Sequence, residues 1–365
     1  MASRHKMTPD FIRNAYKVLL LREVDEAQVE PIMSMQIAPE ELVASILNSD
    51  EFLHGPVAKF AEWGDPKSVR LKALDKLCAQ FKRYEGPGAS GFYMDFLGVK
   101  TRLHYIPDAE QYDGSVFDYP SRTPQPLGFD PAEWEGVLRS VIEAKDRFVS
   151  IELGAGFGPW LVTTAAAAKQ RGIGHIQLAG VEGSADHFAF LLQHFKDNGL
   201  DPASHFLFHG IIGAADGISY FPKLADPKQD WGAQAVTTSA ARQIAGAPND
   251  RFVDYRGLTF ETLEKVASLS LTALLQKYPH VNLIHCDIQD SEGEVIPSAA
   301  DELDKRVRRL VVGTHSRRSE AAILDALSSK GWLLEHDVPC QYVVANSRVL
   351  PTNDGVQVWA NPRFG

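Results

Sequence analysis

The stretch VSIELGAGFG, residues 149–158, decides the fold of this chain. A short β-favouring run is followed at once by glycines at every second position, Gly154, Gly156 and Gly158. Glycines let the backbone turn sharply and approach a ligand closely, and a helix that begins after such a turn offers free N–H groups to an anion. The stretch therefore predicts a strand, a ligand-binding turn and a helix, in that order.

Strand and helix patterns alternate from residue 131 to the end of the chain. After the strand that precedes Gly154, strands are expected at residues 175–181, 206–212, 281–287 and 310–313. Two closing strands, expected to be antiparallel, lie at residues 332–335 and 356–360. Repeated units of this kind predict an α/β fold whose doubly wound, mostly parallel sheet is covered by helices on both faces.

The N-terminal part of the chain has a different pattern. Residues 1–84 show only helical spacing of apolar residues and predict a small all-helical domain. The breaker-rich stretch EGPGASG begins at residue 85 and marks a boundary. Residues 85–130 then predict a β-hairpin, turning at Gly98, followed by a long loop or lid, and residues 131–365 predict the sheet domain.

Composition narrows the classes of function. The net charge of -10 argues against a nucleic-acid partner, because surplus Lys and Arg carry phosphate binding. The three cysteines lack metal-site spacing. No stretch is apolar for the length of a membrane span, and the first residues lack an apolar signal core. We therefore expect a cytoplasmic protein without a membrane span, and nothing in the sequence indicates its oligomeric state.

Two cofactors compete for the glycine loop. A dinucleotide fingerprint needs a small residue at position 159, and this chain has Pro159. The run E-x-G-x-G-x-G instead places Glu152 where it can accept a hydrogen bond from an ammonium group, and Glu182, at the end of the second strand, suits two ribose hydroxyls. The pattern predicts S-adenosyl-L-methionine, held by Glu152, Gly154, Ala155, Gly156, Gly158, Glu182, Gly183 and Asp287. An NAD-dependent oxidoreductase or epimerase, or a non-catalytic binding module recruited by the helical domain, are the alternatives.

Polar residues also follow the strands that end near Asp287 and His315. Because ligands bind beyond the carboxyl ends of parallel strands, both residues should lie on the same edge as the glycine loop. His315 is the first candidate for a general base, since its ordinary pKa is near neutrality, but it could instead cap the next helix. Asp287 could be the base, orient His315 or cap a helix. Mg²⁺ held by Asp287, Glu292 and His315 is possible but not expected.

Residues 148–343 resemble the FkbM family of methyltransferases. The segments that carry the resemblance are residues 151–160, 180–183, 285–292 and 312–316. The resemblance implies a class I methyltransferase (Rossmann-like) fold and methylation of a hydroxyl oxygen. Asp290 departs from the family, which typically has glycine at this position.

The N-terminal helices are similar to a domain of unknown function found beside enzymes of surface-sugar synthesis. The expected acceptor is therefore a glycan, a saccharide or a similar small-molecule natural product. Loops 107–130 and 223–250 are expected to shape its pocket. Trp231, in the second loop, either lies over adenine or a sugar ring or anchors the loop.

Overall fold

In the computed structural model of this protein, the described residues are 7–19, 24–47, 49, 66–236, 252–254, 256, 258–260, 262–345 and 348–364. The chain divides into two compact units, Met1–Arg70 and Leu71–Gly365. The boundary expected after residue 84 therefore falls later than the division in the structure. The physical reason is that Leu74, Leu77 and Phe81 pack into the core of the larger unit.

The smaller unit is helical, as predicted. Its helices among the described residues are α1 (Pro9–Leu19), α2 (Glu26–Ser34) and α3 (Pro39–Leu47). Asp25 begins α2 by accepting a hydrogen bond from the N–H of Ala27 at 3.0 Å, the usual role of an acid at a helix start. Helix α2 contains Pro31. The helices share one apolar cluster, whose buried members are Ile12, Ala15, Val24, Val29, Ile32, Leu42 and Ile46.

The segment before the large sheet contains α4 (Pro66–Cys78) and an antiparallel hairpin of β1 (Phe92–Met94) and β2 (Lys100–Arg102). Gly98 alone does not make the hairpin turn. Asp95 closes it, because its Oδ1 accepts hydrogen bonds from the N–H groups of Leu97 and Val99. From residue 103 to residue 130 the chain forms 3₁₀ turns and loops, as the sequence predicts.

The described residues form a main sheet of seven strands in the order β13-β16-β12-β11-β3-β4-β5. Their bounds are β3 (Arg147–Leu153), β4 (His175–Glu182), β5 (Phe206–His209), β11 (Val281–Cys286), β12 (Val307–Thr314), β13 (Leu333–Val338) and β16 (Gly355–Ala360). Strand β16 runs antiparallel to both of its neighbours. The two expected closing strands thus pair antiparallel to each other, and β13 has the same direction as the parallel strands. The predicted doubly wound, mostly parallel α/β class is confirmed.

Smaller sheets occupy the region after β5. The strands outside the main sheet are β6 (Ile211–Gly213), β7 (Gly217–Pro222), β8 (Phe252–Val253), β9 (Thr259–Phe260), β10 (Leu263–Ser270), β14 (Gln341–Ala345) and β15 (Arg348–Asn353). The expected third strand, residues 206–212, divides at Gly210 into β5 and β6. Strand β10 pairs with both β6 and β7, so this region is more regular than the sequence indicates. Residues 237–250 of the expected acceptor loop lie outside the described residues.

Helices cover both faces of the main sheet. They are α5 (Pro131–Ile142), α6 (Pro159–Gln170), α7 (Ala185–Asp197), α8 (Leu271–Leu275), α9 (Glu292–Ser298), α10 (Ala300–Arg306) and α11 (Arg317–Ser328). Phe148 and Leu283 belong to one core with α4 to α7, whereas Ile151 and Ile284 belong to another with α8 to α11. This alternation along each strand follows from the two-residue period of a β-strand.

Two further features of the fold bear on function. The carboxyl ends of β3, β4, β11 and β12 meet at one edge of the sheet, which we call the rim.

Within the described part of the chain, no helix combines the length and apolar character needed to span a membrane.

Candidate active site

The glycine loop joins β3 to α6 at the rim. Gly154 has a φ of +72° and Gly156 a φ of +55°, conformations that residues with a Cβ rarely adopt. A Cβ on Gly154 would also lie 1.8 Å from the carbonyl oxygen of Asp287. The N–H groups of Gly154 and Ala155 donate to the carbonyl oxygen of Val181, at 3.0 and 2.9 Å. The loop is therefore fixed between the ends of two neighbouring strands.

Glu152 lies beneath the loop and is 2% exposed. Its two carboxylate oxygens accept hydrogen bonds from the N–H groups of Trp160 and Leu161, at 3.3 and 3.0 Å, in the first turn of α6. Burial raises the pKa of Glu152 to about 8, against the lowering effect of His285. In the structure Glu152 thus holds the start of α6, and Gly158 is the residue just before that helix. Its contact with a cofactor ammonium group stays a prediction.

Glu182, at the end of β4, connects the glycine loop to the next helix. Its Oε2 accepts a hydrogen bond from the N–H of Gly156 at 2.8 Å, and its Oε1 accepts one from the N–H of Ser184 at 2.6 Å. The carboxylate is buried beside the loop, where the sequence predicts a ribose site. Gly183, the next residue, packs against the ring of Phe221, since a Cβ at this position would lie 2.5 Å from that ring. Direct cofactor contact by Gly183 stays a prediction.

Asp287 follows β11 and begins an unusual loop. Its N–H donates to the carbonyl oxygen of Leu153 at 2.9 Å, and its Oδ1 accepts from Nε2 of Gln289 at 2.7 Å. Gln289 and Asp290 have φ values of +55° and +72°, the left-handed region that favours glycine. Ser319 donates its hydroxyl to Oδ1 of Asp290 at 2.8 Å. Asp290 therefore has a backbone conformation that favours glycine, and Ser319 holds its side chain.

His315 follows β12 and lies among acidic groups. Its Nδ1 is 3.0 Å from Oε1 of Glu292, and its Nε2 is 3.3 Å from Oδ1 of Asp287 and 3.9 Å from Oδ2 of Asp354. Burial alone would lower the pKa of His315, but Glu292 and Asp287 outweigh it and raise that pKa to about 10. The imidazole therefore carries a proton near neutral pH.

The exposure of these side chains bears on which of them could act as the base. The side chain of His315 is fully buried, whereas that of Asp287 is 40% exposed. A general base at His315 would have to project into the ligand cavity with a free nitrogen lone pair. In the structure the ring instead lies behind Asp287 and bridges it to Glu292. Of Asp287, His315 and Glu292, Asp287 alone has an exposed side chain, and Asp354, 3.9 Å from the ring, is 59% exposed.

The metal alternative can also be placed. One ligand atom from each of Asp287, Glu292 and His315 lies within 4.8 Å of the others. Glu292 also accepts a hydrogen bond from the N–H of Ile288 at 2.8 Å. Mg²⁺ prefers oxygen ligands, and a protonated imidazole cannot bind a cation. A metal here would have to displace the proton of His315. Binding of Mg²⁺ therefore stays an alternative that experiment can test.

Two neighbours of the site carry no sequence motif. Asp354, which faces His315, lies in the turn before β16. Trp231 stacks on His187, with ring centroids 4.0 Å apart and an angle of 7° between the planes. Both residues reach the rim through tertiary contacts between distant segments. The only sequence signal was the isolated tryptophan in an irregular, polar stretch.

Family models give no match to the chain. Among solved structures, methyltransferase FkbM from Methylobacillus flagellatus KT is 12% identical, with a TM-score of 0.34 and coverage of 58% of this chain and 44% of that one. Fibrillarin from Aeropyrum pernix, in complex with natively bound S-adenosyl-L-methionine, is 11% identical, with a TM-score of 0.30 and coverage of 61% and 74%. Both likenesses are distant.

A relative with higher sequence identity is also known. A protein of Jannaschia sp. (strain CCS1), named "Putative methyltransferase", is 31% identical over 286 residues, which cover 78% of this chain and 97% of the relative. The match thus extends over nearly the whole relative and over most of the present chain. On that similarity, the chain belongs to the methyltransferase family.

Proposed function

We propose that this methyltransferase uses S-adenosyl-L-methionine and methylates a hydroxyl oxygen of a saccharide or a similar small molecule, as the FkbM motifs imply. The observation that carries the proposal is the chain of Asp287, His315 and Glu292 on the same rim as the glycine loop. A cofactor site alone would serve any methyl acceptor. A hydroxyl is a poor nucleophile near neutral pH, and a carboxylate beside the cofactor can accept its proton.

The residues of the glycine loop fit this cofactor. Glu182 offers a buried carboxylate to ribose hydroxyls, and Gly154 packs so closely on the backbone of Asp287 that a Cβ would clash there. Pro159, at the first position of α6, disfavours the dinucleotide alternative. When bound, S-adenosyl-L-methionine supplies a methyl group on a cationic sulfonium, which is already a good electrophile. The protein then has to align the acceptor and exclude water.

Asp287 is the group that would contact the acceptor. Its partly exposed carboxylate can accept the hydroxyl proton, while Gln289 and His315 hold the side chain in place. His315 acts as a positioning residue, because both of its ring nitrogens face carboxylates. Glu292 balances the charge of the imidazolium from the buried side. This assignment moves the base from His315, the first candidate from sequence, to Asp287, the second.

A screen of acceptors tests the proposal. Nucleotide sugars, glycans and polyketides are incubated with methyl-labelled S-adenosyl-L-methionine, with Asp287→Asn as the inactive control. We expect label in an ether that survives mild alkali. Label found only in a methyl ester, an amine or a carbon-bound methyl group would refute hydroxyl methylation. Activity that is lost with a chelator and restored by Mg²⁺ would support the metal alternative instead.

We also propose that the smaller unit does not take part in cofactor binding. The glycine loop, Glu182 and Asp287 all lie within Leu71–Gly365. A chain that begins at Pro66 keeps α4 whole and should bind S-adenosylhomocysteine as the full chain does, which calorimetry can measure. If the shortened chain folds but has lost that affinity, this division of roles is wrong. Retained affinity with lost turnover would assign acceptor binding to the smaller unit.

A further inference from the structure

An aromatic side chain of the protein lies directly on the glycine loop. A Cβ on Gly156 would lie 3.1 Å from the six-membered ring of Trp231. Phe157, the next residue of the loop, meets the same indole edge-to-face, with ring centroids 5.5 Å apart. On its other side the indole stacks in parallel on His187. The indole thus fills the space between the loop and the first turn of α7.

This space adjoins the carboxylate that we assign to the ribose. Glu182 accepts the N–H of Gly156, and Nδ1 of His187 lies 3.9 Å from Oε1 of Glu182. A purine is joined directly to the ribose, so it must lie within one ring's width of Glu182. The imidazole of His187 is a flat surface at that distance, and it is the surface on which the indole lies. Indole and adenine are both fused six- and five-membered rings, and they would stack there in the same way.

The segment that carries the indole is attached at two points. We call residues 226–232 the plug segment. Nε2 of His187 lies 2.8 Å from the carbonyl oxygen of Pro227, and Asp230 accepts a hydrogen bond from Nη1 of Arg256 at 3.0 Å. The indole itself is less firmly held, because its buried Nε1 has no hydrogen-bond partner among the described residues. A buried donor without a partner is unfavourable, so this conformation costs little to leave.

We propose that Trp231 is a displaceable plug of the nucleoside site. Its indole occupies the place on His187 that the adenine of S-adenosyl-L-methionine takes, and cofactor binding moves the plug segment off the glycine loop. The inference rests on the proposed cofactor. It adds to that proposal a residue that regulates access to the site, and it identifies His187 as the stacking surface for the purine.

The test uses the full-length protein and S-adenosylhomocysteine, which binds without reacting. Calorimetry gives the affinity and tryptophan fluorescence reports the indole. Trp231→Ala should bind more tightly, by about tenfold, because no plug has to be displaced. The wild type should show a saturable emission change that Trp231→Ala lacks. Gln229→Ala, an exposed neighbour in the plug segment, is the matched control and should behave as the wild type.

A second pair of variants examines the stacking surface. His187→Ala, made in the Trp231→Ala background, should weaken binding, because the purine loses its partner ring. The proposal is supported if Trp231→Ala binds S-adenosylhomocysteine more tightly than the wild type and the double variant binds it more weakly than Trp231→Ala. Weaker binding by Trp231→Ala would show that the indole stacks on the cofactor and overturn it. Unchanged affinity and emission would also overturn it, whereas absence of binding in every variant would overturn the proposed cofactor as well.

Discussion

The two halves of the rim hold their carboxylates in different ways. At the ends of β3 and β4, Glu152 and Glu182 accept hydrogen bonds from backbone N–H groups. At the ends of β11 and β12, Glu292 and Asp287 face the two nitrogens of one imidazole. The first half depends on backbone N–H groups, whereas in the second half an imidazole joins two carboxylates, one of which, Glu292, also accepts the N–H of Ile288.

The difference separates what each half can do. Carboxylates bound by backbone amides fix the shape of a loop, so their loss should change cofactor affinity and stability. A carboxylate held by an imidazole can stay partly exposed and accept a proton, so its loss should change turnover. If this comparison is right, single substitutions in the two halves will have effects of different kinds.

The largest effect is expected at Asp287. Asp287→Asn keeps the shape of the side chain but removes a group that can accept a proton. Turnover should fall by about 10²–10⁴-fold, while the affinity for S-adenosylhomocysteine stays close to that of the wild type. Steady-state kinetics and calorimetry on the same preparation measure both. Asp290→Asn, in the same loop, is the matched control, and full activity in folded Asp287→Asn would remove the proposed base.

Glu182 should show the opposite signature. Hydrogen bonds to charged groups contribute about 1.5–3 kcal/mol each, so Glu182→Gln should weaken S-adenosylhomocysteine binding by about 10- to 100-fold. Glu152→Gln is the comparison variant, because both carboxylate oxygens of Glu152 accept hydrogen bonds from N–H groups of α6. We expect that variant to lose thermal stability more than affinity. Equal losses of affinity in the two variants would mean that both carboxylates contact the cofactor.

The pH dependence of stability tests the acidic surroundings of His315. Glu292, Asp287 and Asp354 face the ring, and the folded-state pKa of about 10 is above the ordinary value. The stabilisation from the bound proton is therefore complete below about pH 6.5 and is lost as the pH rises through about 10. Urea unfolding of the wild type and of His315→Gln should show a free-energy difference that shrinks between pH 7 and 10. A difference independent of pH would mean that the ring is not charged in the folded protein.

Sequence reasoning succeeded where the relevant contacts are local. The turn after β3 follows from Gly154, Gly156 and Gly158, and the alternation of strands and helices follows from the chain itself. Glu182 could be placed at the rim because it ends a strand. These features depend on residues a few positions apart, which a single sequence displays.

The remaining features depend on tertiary contacts. The buried ring of His315 contacts Asp287, Glu292 and Asp354, which come from the loop after β11, the start of α9 and the residue before β16. The sequence predicts that these residues lie on one edge of the sheet, but it does not show which of their side chains are buried and which are exposed. The direction of β13 depends likewise on its pairing with β16, and the unit boundary depends on where Leu74 and Phe81 pack.

The smallest effect concerns the left-handed loop residue Asp290. Glycine there would relieve a φ of +72° but lose the hydrogen bond from Ser319, and each contribution is about 1 kcal/mol. Asp290→Gly should therefore change the free energy of unfolding by less than about 1 kcal/mol. Asp290→Ala keeps the strain and loses the hydrogen bond, so it should be destabilised by about 1–2 kcal/mol relative to Asp290→Gly. Urea unfolding of the two variants measures this difference. Equal stability of the alanine and glycine variants would show that the backbone at this position carries no strain, and the loop after Asp287 would then depend on Ser319 for its shape.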